Sequence, residues 1–194
     1  ISGISIIGDT LLQEGLGRLV EAELFYQRGR PPRAKYSFKH ALIQDAAYGS
    51  LLRRTRQQVH LQVAQLLEAR FPETVETHPE LVAHHYSEAN VPDLAINYFQ
   101  KAGARALRMS ANSEAIAHLT RGLEILRTMA DSPERSRREL NLLMTMGPAL
   151  IASRGYAAPE VEFAYRRALE LCQELGDAPM QFSVLHGQWL SKYM

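Results

Sequence analysis

The chain reads as mainly α-helical, with a small winged-helix-like module over residues 1–52 followed by a tetratricopeptide-like α-helical solenoid over residues 53–194. Three observations predict this. Apolar residues recur at three- and four-residue steps along most of the chain, Pro- and Gly-bearing breaks cut that pattern into segments of similar length, and small residues return at fixed offsets across neighbouring segments. Short runs suited to strands occur only near residue 30.

The first element is a short helix over residues 10–25, where Leu11, Leu12, Leu16, Leu19, Val20 and Leu24 form one apolar stripe. Gly29, Arg30, Pro31, Pro32 and Arg33 then make a turn, because proline has no amide proton to give a helix and glycine loosens the backbone. The flanking segments 24–27 and 36–38 carry aromatic and apolar side chains and are read as a two-stranded hairpin. Helix, hairpin and the helical pattern that resumes at His40 give the winged-helix-like module. That pattern runs through Leu42, Ile43, Ala46, Ala47, Leu51 and Leu52 to Phe71, where Pro72 is read as its end.

Helices are predicted near 57–71, 79–89, 92–109, 112–130, 133–152, 159–175 and 179–193. Ser132 before Pro133, Asp177 before Pro179, and Ser113 before Glu114 supply side-chain oxygens for the unpaired amides of a helix start. The repeat signal lies on these helices. Ala83 and Tyr86 are followed by Ala95, Phe99 and Ala102; Gly103 and Ala106 by Ala115, Leu119 and Gly122; Ala149 and Ala152 by Val161, Tyr165 and Ala168. The offsets inside each unit are identical, as a tetratricopeptide-like array requires, whereas the distance from unit to unit is irregular. An ordinary helical bundle is the alternative reading.

Composition narrows the function classes. The 194 residues are 46% hydrophobic and 22% charged, with a formal net charge of +1 and one cysteine, so no internal disulfide and no multi-cysteine zinc site is expected. No apolar run has the roughly 18 residues of a membrane span, and the first ten residues lack the features of a secretion signal. A cytoplasmic location and no membrane contact are therefore expected, and the two ends suggest a piece of a longer polypeptide. No phosphate loop, dinucleotide fingerprint or H-E-x-x-H zinc motif is present. No catalytic residue and no metal ligand is assigned. His78, His84 and His85 are close in sequence, yet neighbours on a helix point about 100° apart, and the group is read as surface histidine. Cys172 is read as a core residue.

Charge is unevenly placed. Arg28, Arg30, Arg33, Lys35, Lys39, Arg53, Arg54 and Arg56 form a basic patch opposed locally by Asp45 alone, while Glu68, Glu73, Glu76, Glu80, Glu88 and Asp93 make the next stretch acidic. Nucleic-acid phosphates or an acidic neighbouring domain would suit the patch.

The stretch Tyr36-Ser37-Phe38-Lys39-His40-Ala41-Leu42-Ile43-Gln44-Asp45-Ala46-Ala47-Tyr48 resembles the winged-helix segment of bacterial STAND-type signalling ATPases. It is most similar to large proteins that join a class III adenylate or guanylate cyclase domain, an AAA-like ATPase and tetratricopeptide repeats. The resemblance continues through Arg56, His60, Pro79 to Tyr86, Glu114 to Leu119 and Gly155 to Val161, covering nearly the whole chain. It implies a position just after the nucleotide-binding core, with ATP or ADP and magnesium held upstream and no cofactor in this piece. It also implies that His40 senses the bound nucleotide in the intact protein, a role an imidazole donor to phosphate can fill.

The expected function is a non-catalytic regulatory scaffold. The helical repeats bind a protein or small effector, and the first module couples that event to the upstream ATPase domain of the same chain. Tyr86, Asn97, Lys101, Arg105, Arg108 and Asn112 are the candidate contact residues, since they lie near helix faces that should not all be buried. A winged-helix DNA-binding regulator is the second reading.

Overall fold

The structure, a computed structural model, describes residues 8–30 and 34–193. Among them are ten helices and two short strands: α1 (Asp9–Glu21), β1 (Phe25–Arg28), β2 (Lys35–Phe38), α2 (Ala41–Ser50), α3 (Arg53–Arg70), α4 (Pro72–Thr77), α5 (Pro79–Glu88), α6 (Pro92–Arg108), α7 (Asn112–Arg127), α8 (Pro133–Arg154), α9 (Pro159–Leu175) and α10 (Ala178–Tyr193). The protein is mainly helical, as the sequence predicts. No helix among the described residues is long and apolar enough to cross a membrane.

Proline sets the punctuation. Pro72, Pro79, Pro92, Pro133 and Pro159 each open a helix, where the missing amide proton costs nothing and the fixed φ is already helical. Pro72 thus begins α4 as well as closing the run before it, a helix the sequence reading did not assign. The Ser132 hydroxyl accepts from the Arg135 amide at 3.1 Å, and the Asp177 carboxylate accepts from the Met180 amide at 3.1 Å. Ser113 does not cap. Helix α7 starts one residue earlier, at Asn112, with Ala111 at its head and no side-chain cap. The long helical pattern from His40 to Phe71 is broken at Leu51 and Leu52, both extended, so α3 starts at Arg53 rather than near 57.

β1 and β2 pair antiparallel with Phe25 opposite Phe38 and Arg28 opposite Lys35. The two phenyl rings meet edge-on at 4.4 Å. Residues 31–33 of the connecting turn, Arg33 of the basic patch included, lie outside the described residues.

The core belongs to α3 and its successors, each helix packing on the next and α6 also reaching α8. One cluster gathers Ala64, Val82, Ala83, Tyr86, Ala95, Tyr98 and Phe99. A larger one centres on Leu119, Leu126, Leu140, Leu142, Tyr165 and Leu171 and takes Ile96 from α6. Every residue of the three small-residue units is buried except Ala152. A Cβ added at Gly103 would stand 2.5 Å from the Leu119 side chain, so α6 and α7 approach as closely as they do because position 103 has no side chain. The three units lie on three pairs of successive helices, α5 with α6, α6 with α7, and α8 with α9, and the pair α7 with α8 carries none, which is why their spacing is irregular. The N-terminal segment is different: of its described residues up to Leu52, Leu16 alone is buried.

Candidate functional site

Helices α3, α4, α5 and α6 enclose a groove of about 400 Å³. One wall is α6, which carries Tyr98, Lys101, Arg105 and Arg108. The last three recur at steps of four and three, within an arc of about 60° on a helix of 3.6 residues per turn. Opposite stand Val75 and Glu76 of α4, with Pro72 and Pro79, the prolines that open α4 and α5, between the walls.

Glu68, near the end of α3, ties the walls together. The Tyr98 hydroxyl donates to its Oε1 at 2.5 Å and the Tyr86 hydroxyl donates to its Oε2. The two phenol rings stack with centroids 5.9 Å apart. Burial, reinforced by these bonds to a carboxylate, raises both phenols, Tyr98 to about 12, so both remain donors at neutral pH. The Lys101 ammonium sits 4.5 Å from the Tyr98 ring centroid, a favourable cation–π placement. Among the described residues the Arg105 and Arg108 side chains enter no ion pair and no hydrogen bond.

The structure therefore brings together three of the six sequence-assigned contact residues, Lys101, Arg105 and Arg108. Asn97 is exposed outside the groove, and Asn112 is half-buried at the first position of α7. Tyr86 is corrected: it is 1% exposed, part of the core, and it reaches the groove only through Glu68. Glu68 and Tyr98 were missed by sequence reasoning. Their signal was a carboxylate near the end of an Arg- and Gln-rich helix and an aromatic beside a cationic row, neither distinctive until the fold places them in contact.

A second polar cluster sits where α2, α3 and α5 meet. His60 Nε2 lies 3.0 Å from the Tyr48 hydroxyl and His60 Nδ1 lies 2.9 Å from His85 Nδ1. The His84 ring is 5.7 Å from that of His60. The histidine group is thus His60 with His84 and His85; His78 instead pairs with Glu80 at 3.0 Å. Among the described residues no cluster of histidine, cysteine, aspartate and glutamate is arranged to hold a metal ion. Cys172 is buried, and burial pushes its thiol up.

The basic patch is divided. Arg28, Arg30, Lys35 and Lys39 belong to the hairpin and its flanks, Lys39 reaching Glu23 at 3.8 Å and lying over the Tyr26 ring. Arg53, Arg54 and Arg56 occupy the first turn of α3, Arg56 against Tyr48. His40 is exposed at the head of α2, where its side chain makes no capping bond.

The chain is 26% identical over 193 residues to an uncharacterized protein of Rhizobium meliloti (strain 1021), a match that takes in 98% of this chain and 18% of that protein. The chain thus spans under a fifth of the length of the curated relative it matches. No family model and no solved structure matches it.

Proposed function

We propose that this chain is the non-catalytic binding and coupling region of a multidomain signalling ATPase, of the kind linked to an adenylate or guanylate cyclase. In this reading α3 to α10, over residues 53–194, form tetratricopeptide-like repeats that take a protein or small effector. Residues 1–52 are the remainder of a winged helix that carries the event to the upstream ATPase domain of the same chain. ATP or ADP and magnesium belong to that domain, His40 faces its nucleotide, and the whole works in the cytoplasm.

The observation that carries the reading is the apolar surface of the N-terminal segment. Leu42 is 81% exposed, Leu52 77% and Leu11 65%, while Leu16 is the one buried residue described there. A segment that leaves so much apolar area in water, at about 25 cal/mol per Å², is built to be covered. The relative of more than five times the length that aligns end to end with this chain gives room for such a covering domain. The buried small residues of the three units support the repeat reading.

Hydrogen exchange tests it. In the intact polypeptide the amides of α1, β1, β2 and α2 should exchange far more slowly than in the 194-residue chain alone, and Leu42→Asp with Leu52→Asp should alter nucleotide turnover while leaving α5 to α9 unchanged. Equal exchange in the two contexts would sink the coupling role.

The winged-helix DNA-binding reading rests on one feature: Arg28 directly opposes Lys35 across the hairpin, a like-charge pair that costs stability unless an anion sits over it. Duplex DNA binding at low salt, lost on Arg28→Glu with Lys35→Glu, is what it requires.

A further inference from the structure

The groove beside α6 holds charge in an unusual form. Lys101 and Arg108 lie seven residue steps apart, about 10 Å of helix with Arg105 between them, so the three make a row instead of converging on one point. A single phosphate or carboxylate could engage one end of that row and leave the rest unmatched. Glu68 keeps its negative charge while its two oxygens accept from the Tyr86 and Tyr98 hydroxyls, and among the described residues it forms no ion pair with the row, which still carries one more charge than Glu68 and Glu76 together. The wall facing the row is apolar at Val75 and Pro79, and its one free acid is Glu76.

We infer that this groove docks an extended acidic segment of a partner protein, with carboxylates at alternate positions against Lys101, Arg105 and Arg108 and apolar residues between them against Val75 and Pro79. The inference rests on the reading of the helical array as a binding region and names the partner's chemistry. Same-face residues of an extended chain repeat every 6.6 to 6.8 Å or so. The steps from 101 to 105 and from 105 to 108 are about 6 and 4.5 Å, which flexible arginine and lysine side chains can bring to that repeat. Alternation then sends the other side chains to the opposite wall. Glu76 repels acids there, so charge is accepted on the α6 side only, which fixes the face the segment presents.

The test uses the 194-residue chain and a fluorescein-labelled octapeptide with Glu at every second position and Leu or Ser between, beside a copy carrying Gln for Glu. Anisotropy titrations at low and at physiological salt should show the Glu peptide binding about tenfold or more tightly than the Gln peptide, with salt narrowing the gap. Arg105→Glu with Arg108→Glu should weaken the Glu peptide about tenfold or more, and a peptide with Lys for Glu should bind the reversed groove in its place. Arg127→Glu with Arg137→Glu, an equal change of net charge on exposed positions of α7 and α8, should leave binding as it was. Circular dichroism of each variant separates lost binding from lost fold, and the Lys-peptide rescue does so independently. Equal binding of the Glu and Gln peptides, or equal weakening by the α7 and α8 reversal, overturns the inference. If either occurs while α1 to α2 are protected in the intact protein, the docked chemistry is wrong and the coupling role stands; peptide docking without that protection is the converse.

Discussion

A neutral imidazole has one donor and one acceptor nitrogen, and His60 spends both, on Tyr48 and on His85. One added proton can be shared along this line, but two place N–H against N–H at 2.9 Å. Both rings sit below the ordinary histidine value, with burial the main cause for each; for His85, brought down to about 4, His60 and His84 add repulsion and Glu88 opposes it. Tyr48 from α2 and the Arg56 guanidinium beside it complete the surroundings. The direction of the pH effect follows. Above about pH 6.5 the rings are neutral whether folded or unfolded and the contact is fully present. Between that value and about 4 the unfolded chain binds protons that the folded chain refuses, so stability falls as pH falls. Urea midpoints of the 194-residue chain should drop between about pH 7 and pH 5, and His85→Asn should flatten the slope. A midpoint that holds or rises on acidification would contradict this.

At the scale of elements, the α6–α7 contact is the sharpest case. Gly to Ala inside a helix ordinarily gains about 1 kcal/mol in propensity, yet here the new methyl would meet Leu119, which is fully buried and has nowhere to go. Overpacking of this kind costs about 1–3 kcal/mol. Gly103→Ala should therefore destabilise the protein by up to about 2 kcal/mol net in urea unfolding, and adding Leu119→Val should recover part of the loss; a more stable Gly103→Ala would show that the helices are free to part. Gly103 and Leu119 were legible beforehand because small residues at fixed offsets mark close helix contacts regardless of the rest of the sequence. Helix starts were legible where proline or a capping side chain marks them, as at Ser132 and Pro159. The break at Leu51 and Leu52 was not, since two leucines fit a helix as well as a bend. Helix α4 was hidden because a proline reads as an end until one sees that it is also an N-terminus. The groove was half legible: the cations show as a helical row at 101, 105 and 108, but their separation from Tyr86, and the carboxylate that joins Tyr86 to Tyr98, exist only once α3 packs on α5 and α6.

Across the whole molecule, buried apolar side chains are concentrated from α3 onward, in clusters that run into one another through α6. The N-terminal segment joins this body through the short extended link at Leu51 and Leu52 and the Tyr48–His60 hydrogen bond. Local stability follows buried contact. Hydrogen exchange of the 194-residue chain should be slowest in α6 to α9 and fastest in β1, β2 and α2, and brief proteolysis should cut first before residue 53. Uniform protection along the chain would show that the N-terminal segment finds its stability elsewhere. Helix α6 meanwhile gives Ile96 to one core, Tyr98 and Phe99 to the other, and its cationic row to the groove. In evolutionary terms such a helix ages slowly. A lineage that acquires a new partner has an inexpensive route open, rewriting positions 101, 105 and 108, because the buried positions of the same helix, Ile96, Tyr98, Phe99 and Gly103 among them, serve cores that have nothing to do with the partner.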